Sequence, residues 1–103
     1  MSRFSLEREG TRVKVTMGSE LTVSFVPELR ELLCAIRDDG VRDLVLGFSK
    51  TTFLDTAGLS LLLAARNGFS LDGRTFKMVG LQAPVFSLLE TLRLEKRLNA
   101  EMG

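Results

Sequence analysis

The sequence contains no histidine, no tryptophan and no tyrosine, and its only cysteine is Cys34. Histidine is the side chain that ordinarily exchanges protons near neutral pH, so its absence excludes a Ser-His-Asp triad and other His-based acid–base catalysis. Zinc sites built from cysteine and histidine are excluded for the same reason. A single cysteine also excludes an intramolecular disulfide. We therefore expect no metal site and no His-based catalytic centre.

An excess of one charge and long apolar runs are also missing. Fourteen basic and thirteen acidic side chains give a net charge of +1, and no basic stripe typical of nucleic-acid binding is visible. The longest apolar run, Leu61 to Ala65, is far shorter than the roughly 20 residues of a membrane span. The N-terminal residues carry charges where a secretory signal has an apolar core. These features predict a cytoplasmic protein that neither binds nucleic acid nor inserts into a membrane.

The remaining composition is that of one globular domain, residues 1–103, with 45% hydrophobic and 26% charged residues. Apolar and polar residues alternate around Phe4 and Leu6 and again from Val13 to Met17. This alternation predicts two half-buried strands that form a hairpin across a turn at Glu9-Gly10.

The rest of the chain alternates between helical and strand patterns. Glycine, proline and capping residues give the predicted boundaries: a loop at Gly18 to Leu21, a helix from Thr22 or Ser24 to Asp38-Asp39-Gly40, a strand Asp43 to Phe48, a helix Thr56 to Ser70, a strand Thr75 to Val79, a helix Ala83 to Leu92 and a short piece Leu94 to Leu98. The order β-β-α-β-α-β-α predicts an α/β domain. Its mixed sheet has about four strands, with an N-terminal hairpin and the helices packed on it.

The most informative segment is Asp55-Thr56-Ala57-Gly58. It follows a predicted buried strand and a polar loop, Ser49 to Thr52, and opens a leucine-rich helix. Unpaired N–H groups and the helix dipole make such a position favourable for negative charge. Asp55 or Thr56 is therefore expected to cap the helix, and the Thr56 hydroxyl is placed where a phosphate would be tolerated.

The helix that follows carries an unusually wide apolar arc of roughly 200°, where a surface helix needs about 100°. The residues in the arc are Leu59, Leu61, Leu62, Leu63, Ala65 and Phe69. Two interpretations stay open at this point. The helix is wedged between the sheet and another helix, or part of the arc faces a partner protein.

These elements and their motifs together resemble the STAS domain family over most of the chain. Gly18-Ser19-Glu20-Leu21 with the helix from Pro27 is similar to that family's Gly-Glu-Leu loop and first helix. The run Phe53 to Leu59 is similar to its signature loop, and Met78 to Val85 is similar to its last strand and final helix.

The resemblance implies binding rather than catalysis, without a cofactor. Stand-alone bacterial members are anti-sigma factor antagonists, which dock on an anti-sigma factor that is also a serine kinase and are released when that kinase phosphorylates their loop. For this chain it implies docking through loop 49–58 and helix 56–70. The implied partner-binding residues are Lys50, Thr51, Asp55, Thr56, Ala57, Gly58, Leu59 and Leu62. A weak homodimer is compatible with these features.

The sequence departs from the usual loop at the phosphorylated position. Ala57 stands before Gly58 and cannot accept a phosphate, so Thr56 is the phosphoacceptor candidate. Three alternatives remain open: Thr56 is phosphorylated, the antagonist escapes this regulation, or the chain belongs to another branch. That branch is the STAS subunit of phospholipid-trafficking ABC transporters, which binds the ATPase subunit. A separate hypothesis, which the lack of a general base other than carboxylates disfavours, is a small enzyme that uses Asp55 and Thr56 on a phosphorylated substrate.

Overall fold

A computed structural model describes residues 4–103 of the chain. Its strands are β1 Ser5–Glu9, β2 Arg12–Thr16, β3 Glu20–Leu21, β4 Asp43–Gly47, β5 Phe53–Leu54, β6 Thr75–Leu81 and β7 Ala100–Met102. Its helices are α1 Val26–Asp38, α2 Thr56–Leu71 and α3 Ala83–Thr91, and a short 3-10 helix, Val23–Phe25, precedes α1. The predicted α/β order is confirmed.

The main sheet has five strands in the order β1-β2-β4-β6-β7. The hairpin β1–β2 is antiparallel, whereas β2–β4, β4–β6 and β6–β7 are parallel. Strands β3 and β5 form a separate two-stranded parallel sheet. The prediction of about four strands was therefore too low, because the short strands β3, β5 and β7 were not recognised.

One hydrophobic core joins the sheet to the three helices. Leu44 and Leu46 of β4 lie beside Val13 and Val15 of β2 in register, and all four are buried. The helices cover this face with buried side chains such as Leu29, Leu33, Leu62, Phe69 and Leu89. Within residues 4–103, no helix is both long enough and apolar enough to cross a membrane.

Several local predictions need correction. Strand β1 is exposed along its whole length, including Leu6, since it lies at the edge of the sheet. Thr22 precedes the 3-10 helix but makes no side-chain capping bond. Strand β6 extends to Leu81, with a register shift in its pairing with β7 between Met78 and Leu81, where Gly80 adopts a positive φ of 72°. The segment from Leu94 to Leu98 forms turns rather than a regular element.

Candidate functional site

The candidate site lies at the edge of the sheet where the parallel strands β2 and β4 end. The loop that follows β2 and the loop that follows β4 are joined by hydrogen bonds between successive residues. The Thr51 hydroxyl donates to the Gly18 carbonyl at 2.7 Å, and the Thr52 amide donates to the Ser19 carbonyl at 2.8 Å. The pairing of β3 with β5 continues this contact. The loop before α2 is therefore held in one conformation by the loop after β2.

Asp55 caps two helices with one carboxylate. Its Oδ1 accepts a hydrogen bond from the Gly58 amide at 2.8 Å, at the start of α2. Its Oδ2 accepts one from the Val23 amide at 2.9 Å, at the start of the 3-10 helix. These two N–H groups, that of Gly58 first, lower the pKa of the Asp55 carboxyl. The predicted cap is confirmed, and Asp55 carries a negative charge at neutral pH.

Gly58 brings the first turn of α2 directly against β3. A Cβ atom at this position would lie 2.6 Å from the Leu21 carbonyl oxygen and 2.9 Å from the Leu21 Cγ. Real Cβ atoms do not approach backbone this closely, so a side chain would push the helix away from the strand. The glycine is therefore required for packing, whatever its role towards a partner.

The sequence-predicted site residues differ in accessibility. Lys50 and Thr56 are exposed, and Asp55 and Ala57 are half-buried. Within residues 4–103 the Thr56 hydroxyl has no hydrogen-bond partner. Thr56 thus presents a free hydroxyl beside an ionised carboxylate at the start of α2.

Two of the predicted contact residues are fully buried. Thr51 and Leu62 each expose 0% of their surface. Thr51 ties the two loops together, and Leu62 packs in the core under α2. Gly58 and Leu59 are also buried. In the free chain Thr51 and Leu62 support the surface from beneath, and their contact with a partner stays a prediction. Burial of α2 favours the wedged interpretation of its apolar arc.

The structure adds two apolar side chains that the sequence interpretation did not assign to the site. Val23 is 64% exposed and Phe53 is 54% exposed. Val23 donates its amide to Asp55, and Phe53 lies two residues before Asp55 on β5. Alternation along Phe53-Leu54 could have indicated that one of the two faces outward, but not which.

These features define a small α/β domain whose candidate site is a surface loop and the start of a helix. The chain belongs to the STAS domain family: the family model described as "Mlab, STAS domain" matches residues 4–100. An anti-sigma-B factor antagonist of Staphylococcus aureus is 28% identical over 90 residues, which cover 87% of this chain and 83% of that protein. The antagonist of the same name from Staphylococcus epidermidis is 24% identical over 90 residues.

Solved structures have the same fold. An anti-sigma factor antagonist from Mycobacterium paratuberculosis matches with a TM-score of 0.83 at 20% identity, over 95% of this chain and 83% of that one. The Bacillus protein SpoIIAA in its phosphorylated form matches with a TM-score of 0.77 at 18% identity, over 97% and 91% of the two chains. The predicted STAS-like fold is thereby confirmed.

Proposed function

We propose that this chain is an anti-sigma factor antagonist, which acts by binding a protein partner rather than by catalysis. Membership of the STAS family and the similarity to the staphylococcal anti-sigma-B factor antagonists support this role. The partner in this proposal is an anti-sigma factor that is also a serine kinase. Docking takes place on loop 49–58 and the first turn of α2.

The observation that carries the proposal is the exposed Thr56 hydroxyl beside the ionised Asp55. A phosphate on Thr56 would add a charge of about −1.5 to −2 to a surface that already has one negative charge. Bringing these charges against a closely packed partner would cost both desolvation and repulsion. The start of a helix tolerates the same phosphate, so the domain would stay folded. Phosphorylation of Thr56 would then release the partner without unfolding the antagonist.

The exposed apolar side chains beside Thr56 supply the attractive part of the docking surface. Phe53 and Val23 flank the polar pair Asp55 and Thr56, and Lys50 adds an exposed positive charge. Transient protein interfaces usually combine exposed apolar side chains with polar groups in this way. The half-buried Ala57 completes the proposed surface, and the buried Gly58 supports it from beneath.

A second candidate partner is the ATPase of a phospholipid-trafficking ABC transporter. Thr56 favours it, because the STAS subunit of such transporters resembles this chain in having threonine after the aspartate of the loop. In that case Thr56 would serve as a docking residue, and its phosphorylation would have no role.

The two candidates are separated by recovering the tagged chain from its native host under mild conditions and identifying the bound proteins by mass spectrometry. Recovery of an anti-sigma kinase together with phosphate on Thr56 supports partner switching. Recovery of a transporter ATPase without an anti-sigma factor would contradict it and assign the chain to lipid trafficking.

Thr56→Glu is expected to weaken binding to the recovered partner about tenfold or more, because it places a permanent charge at the centre of the docking surface. Affinity is measured by calorimetric titration, and circular dichroism checks the fold. Thr11→Glu is the matched control. Thr11 is exposed in the turn before β2, at the opposite edge of the sheet, so this variant should bind within about twofold of the parent. Unchanged affinity of Thr56→Glu would overturn the proposed docking surface.

A further inference from the structure

A second polar site lies at the other end of α2. It is a cavity of about 270 Å³ between the end of α2, the start of β6 and the turns that follow α3. Four cations line it: Arg66, Arg74, Lys96 and Arg97. No acidic side chain is among its lining residues. The whole chain has a net charge of only +1, so positive charge is concentrated here. We call this site the basic pocket.

Most of this charge is not neutralised inside the molecule. Among residues 4–103, Arg66, Lys96 and Arg97 make no ion pair. Arg66 donates only to the neutral Asn67 side chain, at 3.1 Å. Of the four, Arg74 has an ion pair among the described residues, with Asp72 at 3.9 Å. Three of the four cations are therefore available to an anion from solution.

The pocket is also partly preorganised. The Arg74 guanidinium donates to the Arg37 carbonyl at 2.6 Å and lies 5.8 Å from the centre of the Phe69 ring. Lys96 and Arg97 precede Leu98, which is fully buried and fixes the turn to the core. Asn99 follows at a positive φ of 52°, and its amide donates to the Lys96 carbonyl at 3.1 Å.

The dipole of α2 does not account for this cluster. Cations near the last turn of a helix offset its negative end, which explains why Arg66 and Arg74 are tolerated there. Lys96 and Arg97 come from a different segment, and they line the same cavity without an ion pair to any described carboxylate. An anion held between the two segments would relieve their mutual repulsion.

We propose that the basic pocket binds a small ligand that carries two or more linked phosphate groups. The cavity is large enough for such a group. Arginine and lysine are the usual binding partners of phosphate. Ser70 and Asn99 add polar groups to the lining. The pocket contacts the phosphate groups of the ligand and makes no specific contact with a nucleobase. The ring of Phe76 in its lining is buried, so it offers no exposed face on which a base could stack.

The site is separate from the docking loop. Thr56 and Ser70 stand near opposite ends of α2, about 20 Å apart at 1.5 Å per residue. Ligand binding in the basic pocket therefore does not depend on the identity of the protein partner.

The test is a calorimetric titration of the purified chain with inorganic triphosphate and, separately, with ATP, at about 50 mM salt, where charge interactions are only partly screened. We expect saturable binding of triphosphate and an ATP affinity within about threefold of it, because the nucleoside makes no stacking contact. Lys96→Gln and Arg97→Gln should each weaken triphosphate binding about tenfold or more, the loss typical of one charge-assisted hydrogen bond.

Arg30→Gln is the matched control. Arg30 is exposed on α1, outside the pocket, and its replacement removes the same charge. This variant should bind triphosphate within about twofold of the parent, since only distant, screened charge is lost. Absence of saturable binding, or an equal loss in all three variants, would overturn the proposal. An ATP affinity more than about tenfold above that of triphosphate would also overturn it, because the base would then be read.

Discussion

At the scale of single residues, Asp55 and Gly58 define the site, and each acts on two segments. Asp55 binds the amides of Gly58 and Val23, and Gly58 allows α2 to touch Leu21. The cap on α2 could be predicted because aspartate stands directly before a helical pattern. The bond to Val23 could not be predicted, since it joins residues 32 positions apart.

The two glycines of α2 give opposite predictions for replacement by alanine. Gly58→Ala is expected to lower the free energy of unfolding by about 1–3 kcal/mol, because its Cβ would collide with the Leu21 carbonyl. Gly68→Ala is expected to raise it by about 0.5 kcal/mol, since helix propensity improves and the nearest atom, 3.3 Å away, is the side-chain Nη1 of Arg37 rather than backbone. Urea unfolding followed by circular dichroism measures both. An equal effect of the two variants would contradict the packing role of Gly58.

At the scale of elements, α2 is the centre of the molecule. It contributes buried residues to the core, its first turn carries the docking surface, and its last turn borders the basic pocket. Its bounds, Thr56–Leu71, match the predicted Thr56 to Ser70 within one residue, because a cap and an Asp72-Gly73 turn enclose a long apolar pattern. Strands β3 and β5 were missed for the opposite reason. Each has two residues and is a strand only because the other pairs with it.

Two leucines of α2, one buried and one exposed, test whether the helix packs on the sheet. Leu62→Ala is expected to lower the free energy of unfolding by about 2–4 kcal/mol, because Leu62 is fully buried and a cavity would remain. Leu71 is 86% exposed, so Leu71→Ala should change it by no more than about 0.5 kcal/mol. Thermal and urea unfolding of both variants provide the measurement. A small effect of Leu62→Ala would show that α2 does not pack on the sheet as described.

At the scale of the whole molecule, the distribution of charge in space could not be predicted from the sequence. The cations of the basic pocket come from three separate stretches, around 66, 74 and 96–97, so no basic run marks them along the chain. The sequence has a balanced charge and no basic stripe. The fold nevertheless brings four cations together around one cavity. Hydrophobic periodicity predicted most elements because it is local, whereas these contacts depend on tertiary structure.

The absence of histidine gives the whole molecule a simple pH profile. Bonds from Gly58 and Val23 lower the pKa of Asp55, and the hydrogen bond from Arg37 lowers that of Asp72. Each carboxylate then adds stability that is fully present above the unfolded-state pKa of about 3.9 and is lost as pH falls through the lower folded-state pKa. The free energy of unfolding should be level from about pH 6 to 8 and fall below about pH 4.

Urea unfolding between pH 3 and pH 8 tests this profile. The double variant Asp55→Asn, Asp72→Asn should be less stable than the parent at neutral pH and lose less stability in acid. Glu31→Gln removes an exposed carboxylate of α1 that makes no ion pair with a described residue, and its curve should follow that of the parent. If the double variant lost as much stability in acid as the parent, Asp55 and Asp72 would not be the source of the acid-induced loss.

The shared carboxylate of Asp55 also has an evolutionary consequence. A substitution there removes a partner from the 3-10 helix as well as from α2, so a compensating change within one segment leaves the other without its acceptor. We therefore expect Asp55 to be retained among relatives of this chain. Both of its donors are backbone N–H groups, which every residue except proline carries, so the exposed side chain at position 23 can change without loss of the bond. New partner specificities would then arise by exchange of such exposed side chains around an unchanged carboxylate.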